Sequence, residues 1–246
     1  MNGYSDFSQY YDFLTFNVDY KERAKYILSI FEGLNHDMGL SLDLACGTGT
    51  LTCELKKHGV DIYGIDASSD MLSIANEKAR ELDLDILFLC QKMQEIDLYG
   101  TIDTCICTLD SINHLDKKED VQKTFEKVYL FMNKGGRFLF DVNTVYKHKN
   151  ILRNNTFVYD TDEVYCVWQN SLLENSTVKI DLDFFEKDGD AYYRSSEEFC
   201  EIAYEKDEIE KMLADAGFTV EKVFSDMTFD DAKDDDERIV FVARKL

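Results

Sequence analysis

Five short apolar runs interleave with helical patterns between residues 40 and 142, and this rhythm constrains the fold more than any other feature. The runs cover residues 40–45, 60–65, 86–90, 102–108 and 137–142. Each is too short for a buried helix and reads as a strand covered on both faces. Between them, Ser68 or Ser69 caps a helix that runs to about Leu82, and Val121, Phe125, Val128 and Met132 line one face of another. Upstream, Asp19 and Glu22 form a capping pair, and Tyr20, Ala24, Ile27, Leu28, Phe31 and Leu34 mark a helix face. Strands alternating with helices predict a parallel sheet with helices on both sides.

After about Asn150 the period changes to two. Val178, Ile180, Leu182 and Phe184 alternate with Lys179, Asp181 and Asp183, the pattern of a half-exposed antiparallel strand. Residues 157–159, 164–173 and 191–204 read as its neighbours, and Lys187-Asp188-Gly189-Asp190 as a hairpin turn. A helix over 207–216, ended by Gly217, and strands over 219–225 and 238–243 return to the first architecture. The expected domains are therefore 1–150 with 205–246, interrupted by an antiparallel β insert over 151–204.

The strongest local signal is Leu42-Asp43-Leu44-Ala45-Cys46-Gly47-Thr48-Gly49-Thr50, set between a strand and a helix, where open α/β sheets bind ligands. Gly47 and Gly49 let the backbone turn tightly and approach a ligand, and the helix N-terminus beyond offers free N–H groups. Asp66 ends the second strand, where a carboxylate accepts hydrogen bonds from both ribose hydroxyls of a nucleoside. A dinucleotide fingerprint wants a third glycine three residues after Gly49, and Thr52 stands there. Asp43 suits an ammonium group better than a pyrophosphate. The combination points to a nucleoside with an amino-acid tail.

Composition narrows the partners. A formal net charge of −22 opposes binding to phosphate backbones and to anionic membranes. No apolar run approaches a membrane span. Met1 to Asn17 contains no Lys or Arg, so it lacks the basic head of a signal peptide. Seven cysteines in that context read as free thiols in a reducing, cytoplasmic compartment. Cys105 and Cys107 share a strand face, but without a Cys/His cluster at ligand spacing no metal site is expected. The acidic run over 230–237 reads as a solvated loop.

At these residues the chain resembles the class I S-adenosylmethionine-dependent methyltransferases, over nearly its whole length. The family's first motif, acidic-x-Gly-x-Gly-x-Gly, is matched by Asp43 to Gly49 with Ala45 at the first glycine. Ile65-Asp66-Ala67-Ser68-Ser69-Asp70-Met71-Leu72 looks like its second block, and Lys134-Gly135-Gly136 and Ala216-Gly217-Phe218 are further landmarks. Within the family the chain is most similar to bacterial members of unassigned substrate, which share Tyr11-Asp12, the antiparallel insert and a segment like Cys107-Thr108-Leu109-Asp110-Ser111-Ile112-Asn113-His114-Leu115. Their third block reads Gln-Asp-Met; this chain has Gln91-Lys92-Met93, and a lysine cannot accept a hydrogen bond.

The resemblance implies a Rossmann-like, seven-stranded, mostly parallel sheet with a reversed last strand. It implies S-adenosylmethionine as cofactor, S-adenosylhomocysteine as product, and a small-molecule acceptor. Asp43, Ala45, Cys46, Gly47 and Gly49 would cradle the cofactor. Asp66 and Ala67 would meet its ribose, Met71 its adenine, and the backbone of Lys92 and Met93 the adenine edge. Tyr11 and Asp110 would close on it from the other side, with Tyr10 packing the N-terminal segment. The catalytic candidates are Asp110, Asn113 and His114, the last either a general base or a loop histidine without a role. Trp168, Tyr165, Tyr192 and Tyr193 either pack the insert or line an acceptor pocket beneath it. The chain contains no proline, which excludes the Asn-Pro-Pro-Tyr type segment of many methyltransferases acting on amide or exocyclic amino nitrogens. The rival readings are a non-catalytic S-adenosylmethionine-binding module, an NAD-dependent oxidoreductase and an aminopropyltransferase. The expected assembly is a monomer or homodimer, with no nucleic acid and no membrane.

Overall fold

The computed structural model describes residues 18–162, 164–189 and 191–246. Tyr10 and Tyr11 lie outside them. Helix α1 (Tyr20–Gly33) starts where Asp19 accepts hydrogen bonds from the backbone N–H of Lys21 and Glu22. That satisfies orphan donors of the first turn and stabilises the helix by about 1 kcal/mol. Strand β1 (Leu40–Leu44), α2 (Thr50–Lys57), β2 (Asp61–Asp66) and α3 (Ser69–Glu81) follow as the apolar rhythm predicts. Ser68 caps α3, its Oγ accepting from the Met71 N–H. The third strand, β3 (Phe88–Cys90), is shorter than its apolar run. Beyond it come β4 (Ile102–Cys107), α4 (Lys118–Phe131) and β5 (Met132–Asn143).

The structure differs at the start of β5. Met132 pairs with Ile102 in the sheet instead of ending the helix, and the register shifts before Thr104 pairs with Arg137. Gly135, at φ +84, and Gly136 absorb the irregularity; a Cβ on Gly136 would lie 2.8 Å from the Asp103 carbonyl. The turn is held to the C-terminus by Gly135 N–H donating to the Lys245 carbonyl.

After β5, a wide π turn (Lys147–Leu152) leads into β6 (Thr156–Asp160), β7 (Val164–Leu172), β8 (Thr177–Asp188) and β9 (Ala191–Ile202). These form a separate antiparallel sheet in chain order. The chain then closes with α5 (Lys206–Ala216), β10 (Thr219–Ser225) and β11 (Arg238–Arg244).

The main sheet has seven strands in the order β10-β11-β5-β4-β1-β2-β3, parallel except for β11, which is antiparallel to both neighbours. Alternation along each strand divides its side chains between two layers. Ile106, Leu139, Val240 and Val242 face α1 and α2; Cys105, Cys107, Phe138, Phe140 and Phe241 face α4 and α5. On the second side Phe140 stacks on Phe241 with centroids 5.1 Å apart and meets Phe125 at 5.2 Å. Each such pair contributes about 0.5–1.5 kcal/mol beyond its buried area. The insert has its own core of Leu152, Val164, Cys166, Val178, Ile180, Leu182 and Phe184. Among the described residues no helix is long and apolar enough to cross a membrane.

Strand order reverses between β1 and β4. Connections from these strands leave in opposite directions and open a crevice at their C-terminal ends. The glycine turn, Asp66 and the segment Asp110 to His114 follow the C-terminal ends of β1, β2 and β4.

Candidate functional site

The turn after β1 is built from left-handed residues. Ala45, Gly47 and Gly49 have φ of 60°, 54° and 70°. For Ala45 this costs about 1–2 kcal/mol relative to ordinary backbone. Three hydrogen bonds hold the turn: Cys46 N–H to the Ile65 carbonyl, Gly49 N–H to the Cys46 carbonyl and Gly47 N–H to Asp66 Oδ2, each 2.9 Å. Gly49 begins α2 against α3, and a Cβ there would sit 2.9 Å from the Ala75 methyl and 3.1 Å from the Phe88 ring. Gly64 performs the matching service on β2, where a Cβ would meet Cys46 Sγ at 2.7 Å.

Asp66 is half-buried at the end of β2. Its Oδ2 accepts from Gly47 and its Oδ1 from Ser68 N–H at 2.8 Å. Burial pushes its carboxyl up, while those N–H groups, that of Ala67 and the charge of His114 hold it down. Each oxygen keeps a second lone pair, so the acid is fixed in orientation and still able to accept.

Asp43 lies beneath the turn at 2% exposure, and Thr52 Oγ donates to its Oδ2 at 2.6 Å. Burial pushes its carboxyl up to about 7. Thr52, noted in the sequence only as a missing glycine, thus has a positive role. Met71 is buried, Ala67 and Lys92 are exposed, and Met93 opens a short 3₁₀ turn, Met93–Glu95, packed on the core.

The end of β4 is built differently. Leu109 and Asp110 are consecutive left-handed residues, at φ 57° and 53°. Their N–H groups converge on the fully buried Asp141 of β5, at 2.9 and 2.7 Å. Arg238 bridges Asp141 at 2.8 Å and Asp110 at 2.6 Å, and Arg23 of α1 reaches Asp141 at 3.3 Å and Asp226 at 3.0 Å.

Asn113 is buried and structural. Its Nδ2 donates to the carbonyls of Asn143 and Ile202 and its Oδ1 accepts from Asn143 N–H, so it ties β5 to the end of β9. His114 is partly exposed, its ring 5.2 Å from that of Phe199, and its Nε2 lies 3.8 Å from Glu201 Oε1 and 4.0 Å from Asp110 Oδ2. Glu201, buried near the end of β9, also accepts from Asn143 Nδ2 at 3.0 Å.

Asp110, His114 and Glu201 therefore form a cluster whose ligand-type atoms lie within 4.8 Å of one another. Sequence reasoning expected no such grouping and missed Glu201, Asn143, Asp141, Arg238 and Arg23. Asp141 did carry a signal, an acid inside the apolar run Phe138-Leu139-Phe140-Asp141-Val142. Glu201 carried none.

Of the insert aromatics, Tyr192 and Tyr193 are 59% and 62% exposed, and Tyr165 packs on Phe185 at an exposed edge. Trp168 is half-buried between Phe157 and Tyr159 and donates to Asn170 Oδ1 at 2.7 Å.

With this geometry in hand, comparison with known proteins is informative. Residues 42–136 match a family described as a methyltransferase domain. The Bacillus subtilis (strain 168) protein YqeM, which carries a methyltransferase designation, is 34% identical over 244 residues, covering 98% of this chain and 97% of its own. The crystal structure of an S-adenosylmethionine-dependent methyltransferase from Clostridium acetobutylicum superposes with a TM-score of 0.90 at 32% identity, covering 98% of each chain. CalS10 from Micromonospora echinaspora, an amino pentose methyltransferase solved with S-adenosylmethionine bound, shares the fold at a TM-score of 0.76 and 16% identity, over 93% of this chain and 92% of its own.

Proposed function

The chain belongs to the S-adenosylmethionine-dependent methyltransferases, and we propose that it methylates a small molecule held between the strand ends and the antiparallel insert. The observation that carries this reading is the coupling of the glycine turn to Asp66, in which Gly47 N–H fixes the carboxylate that faces the crevice.

The donor set fits the cofactor. Asp66 offers fixed acceptors for two ribose hydroxyls, Gly47 and Gly49 leave the backbone bare beside it, and Asp43 sets a carboxyl group beneath the turn. Ala45, Cys46, Ala67, Met71 and the backbone of Lys92 and Met93 complete our proposed cofactor contacts, with Tyr11 and Asp110 beyond. The NAD reading is disfavoured by Thr52, which stands at the third-glycine position and donates to an acid that would oppose a pyrophosphate.

When bound, S-adenosylmethionine supplies a methyl group on a cationic sulfonium. The residues of the chain then have to orient the acceptor and exclude water. Positioning of this kind is worth about 7–11 kcal/mol at best. We propose that residues 151–204 serve as the lid of the acceptor site, since Glu201 and Phe199 bring the insert against His114. A net charge of −22 supports a small acceptor over a nucleic acid, and seven unpaired cysteines support a reducing, cytoplasmic setting. We read the assembly as a monomer or homodimer.

Calorimetric titration tests the cofactor site. Wild-type protein is expected to bind S-adenosylmethionine and S-adenosylhomocysteine but not NAD. Asp66→Ala is expected to weaken both sulfur nucleosides at least tenfold, the loss of a charge-assisted hydrogen-bond pair. Unchanged affinity in the variant would remove Asp66 from the site.

A further inference from the structure

Glu201 is 3% exposed, yet no Lys or Arg pairs with it among the described residues. Its neighbours are Asn143, His148 and His114. Oε2 accepts from Asn143 Nδ2 at 3.0 Å and lies 3.5 Å from His148 Nε2. Oε1 lies 3.8 Å from His114 Nε2 and accepts no hydrogen bond from the described residues.

His148 does not settle the charge. It is wholly buried, its Nδ1 donates to the Ser176 carbonyl at 2.7 Å, and its Nε2 makes no hydrogen bond. With Nδ1–H committed, neutral His148 turns a lone pair toward the carboxylate, so only the imidazolium would compensate it. Burial works against ionisation of Glu201, while His148 and His114, when they carry a proton, and the Asn143 amide favour it and hold the carboxyl below the usual carboxylate range. Asp110 adds a second carboxylate, shared with Arg238. A buried carboxylate needs a cation; Lys147 Nζ donates to Asn143 Oδ1 at 2.9 Å, behind the amide, and no Lys or Arg among the described residues reaches Glu201 itself.

The ligand-type atoms of Asp110, His114 and Glu201 lie within 4.8 Å of one another. His114 Nε2 is 3.8 Å from Glu201 Oε1 and 4.0 Å from Asp110 Oδ2, too far to hydrogen-bond to either. These atoms are close enough to share one nitrogen at about 2.8 Å from each. A divalent metal fits less well. Three of the four carboxylate oxygens of Asp110 and Glu201 already accept N–H donors, from Arg238 and Asn143. An ammonium needs only Glu201 Oε1 and the imidazole. The cluster also follows the end of β4, which pairs with β1, the strand that leads into the glycine turn.

We infer that the methyl acceptor is an aliphatic amine, bound as its ammonium on Glu201 with Asp110 beside it and deprotonated by His114. This rests on the methyltransferase reading above and deepens it. One N–H proton passes to His114 Nε2, giving an imidazolium between two carboxylates and a neutral amine with its lone pair free. That lone pair forms the new N–C bond as the methyl–sulfur bond breaks, the bonding pair staying on sulfur as a neutral thioether. The product is the N-methylammonium, and His114 returns its proton to solvent through its exposed edge. Phe199 keeps the ring in place, and Asn143, bonded to both carboxylates, fixes their spacing.

The test uses full-length protein saturated with S-adenosylhomocysteine, with the His114 ring signals followed by NMR. It is titrated separately with n-propylammonium chloride, 1-propanol and magnesium chloride. The ammonium alone is expected to shift His114 saturably. Glu201→Gln is expected to weaken that binding about 30-fold, as truncating one partner of a buried charge pair does, with S-adenosylhomocysteine affinity unchanged. An equal response to propanol, a response to magnesium instead, or no response to the ammonium overturns the inference. The wild-type titrations decide this even if the variant fails to fold. Failure to bind S-adenosylhomocysteine at all would count instead against the cofactor reading.

Discussion

Asp141 is where the fold and the acceptor end of the site depend on the same side chain, so Asp141→Ala separates their contributions. The carboxylate is wholly buried and takes four donors: the N–H groups of Leu109 and Asp110, Arg238 and Arg23. Removing it leaves Arg238 and two backbone N–H groups buried with less than their full complement. Breaking a buried charged pair from one side costs about 3–5 kcal/mol. The two left-handed residues it holds each cost about 1–2 kcal/mol to maintain, so the loop also loses its reason to stay strained. The expected loss of stability is about 3–5 kcal/mol in urea unfolding, a large share of the roughly 5–15 kcal/mol typical of a native protein. Asp110 and His114 ride on that loop. A displacement of about 1 Å at a reacting group costs on the order of 100-fold in turnover, so methyl transfer should fall by that factor. Affinity for S-adenosylmethionine should fall by less than about tenfold, because of the proposed cofactor contacts only Asp110 rides on that loop, while the glycine turn and Asp66 hang from β1 and β2 and make no bond to Asp141. A stability loss under about 1 kcal/mol would refute the reasoning, since the loop would then hold its conformation without the carboxylate. Equal losses of cofactor affinity and turnover would refute the separation of the two ends.

Two further outcomes follow from the cofactor turn. The folded carboxyl of Asp43 titrates at about 7, against 3.8 for an aspartate free in water, because it is buried. A raised pKa means that its contribution is fully present below about 3.8 and is lost as pH rises through 7. Relative to Asp43→Asn, the ligand-free protein should therefore lose about 3 kcal/mol between roughly pH 5 and pH 8; parallel pH curves in urea melts would show that Asp43 is not perturbed. Gly49→Ala meets the Ala75 methyl at 2.9 Å from a backbone at φ +70. It should cost about 1–3 kcal/mol by overpacking and strain and weaken S-adenosylmethionine at least tenfold, and full affinity by calorimetry would show that α3 gives way.

The turn proposed to hold the cofactor was legible as a structural unit because it is local. Asp43, Ala45, Gly47, Gly49, Asp66, Ser68 and Met71 fall within one strand–turn–helix–strand–turn unit. Each is marked by a residue type with one dominant structural use: glycine for positive φ, serine for a cap, an acid at a strand end. The flanking elements were legible for a related reason. Strands buried on both faces and helices with one apolar face leave different periods in the chain, and Asp19, Ser68 and Gly217 mark helix ends where the structure has them. The start of β5 was not legible, because Met132 continues the apolar face of α4 in sequence while its backbone has already turned into the sheet.

The acceptor end obeys a different rule. Its residues come from β5, β9, β11 and the turn after β4, and the hydrogen bonds that define it span 30 to 128 residues of chain. No local period records such a grouping. Glu201 shows why. In Glu197-Glu198-Phe199-Cys200-Glu201-Ile202 it looks like one more exposed acid on a two-sided strand, and all the other residues of β9 are exposed or half-buried. It becomes buried only because the end of the insert folds back onto Asn113, whose amide bonds the Ile202 carbonyl. A polar residue read alone as a candidate catalyst, Asn113, is thus the clamp that brings the insert into the site. The charge left over at Glu201 is a product of that clamp. It follows that acceptor choice in this protein can vary through the insert and the end of β9 without touching the cofactor turn. Exchanging the cluster around Glu201 should change which amine is bound before it changes whether S-adenosylmethionine is.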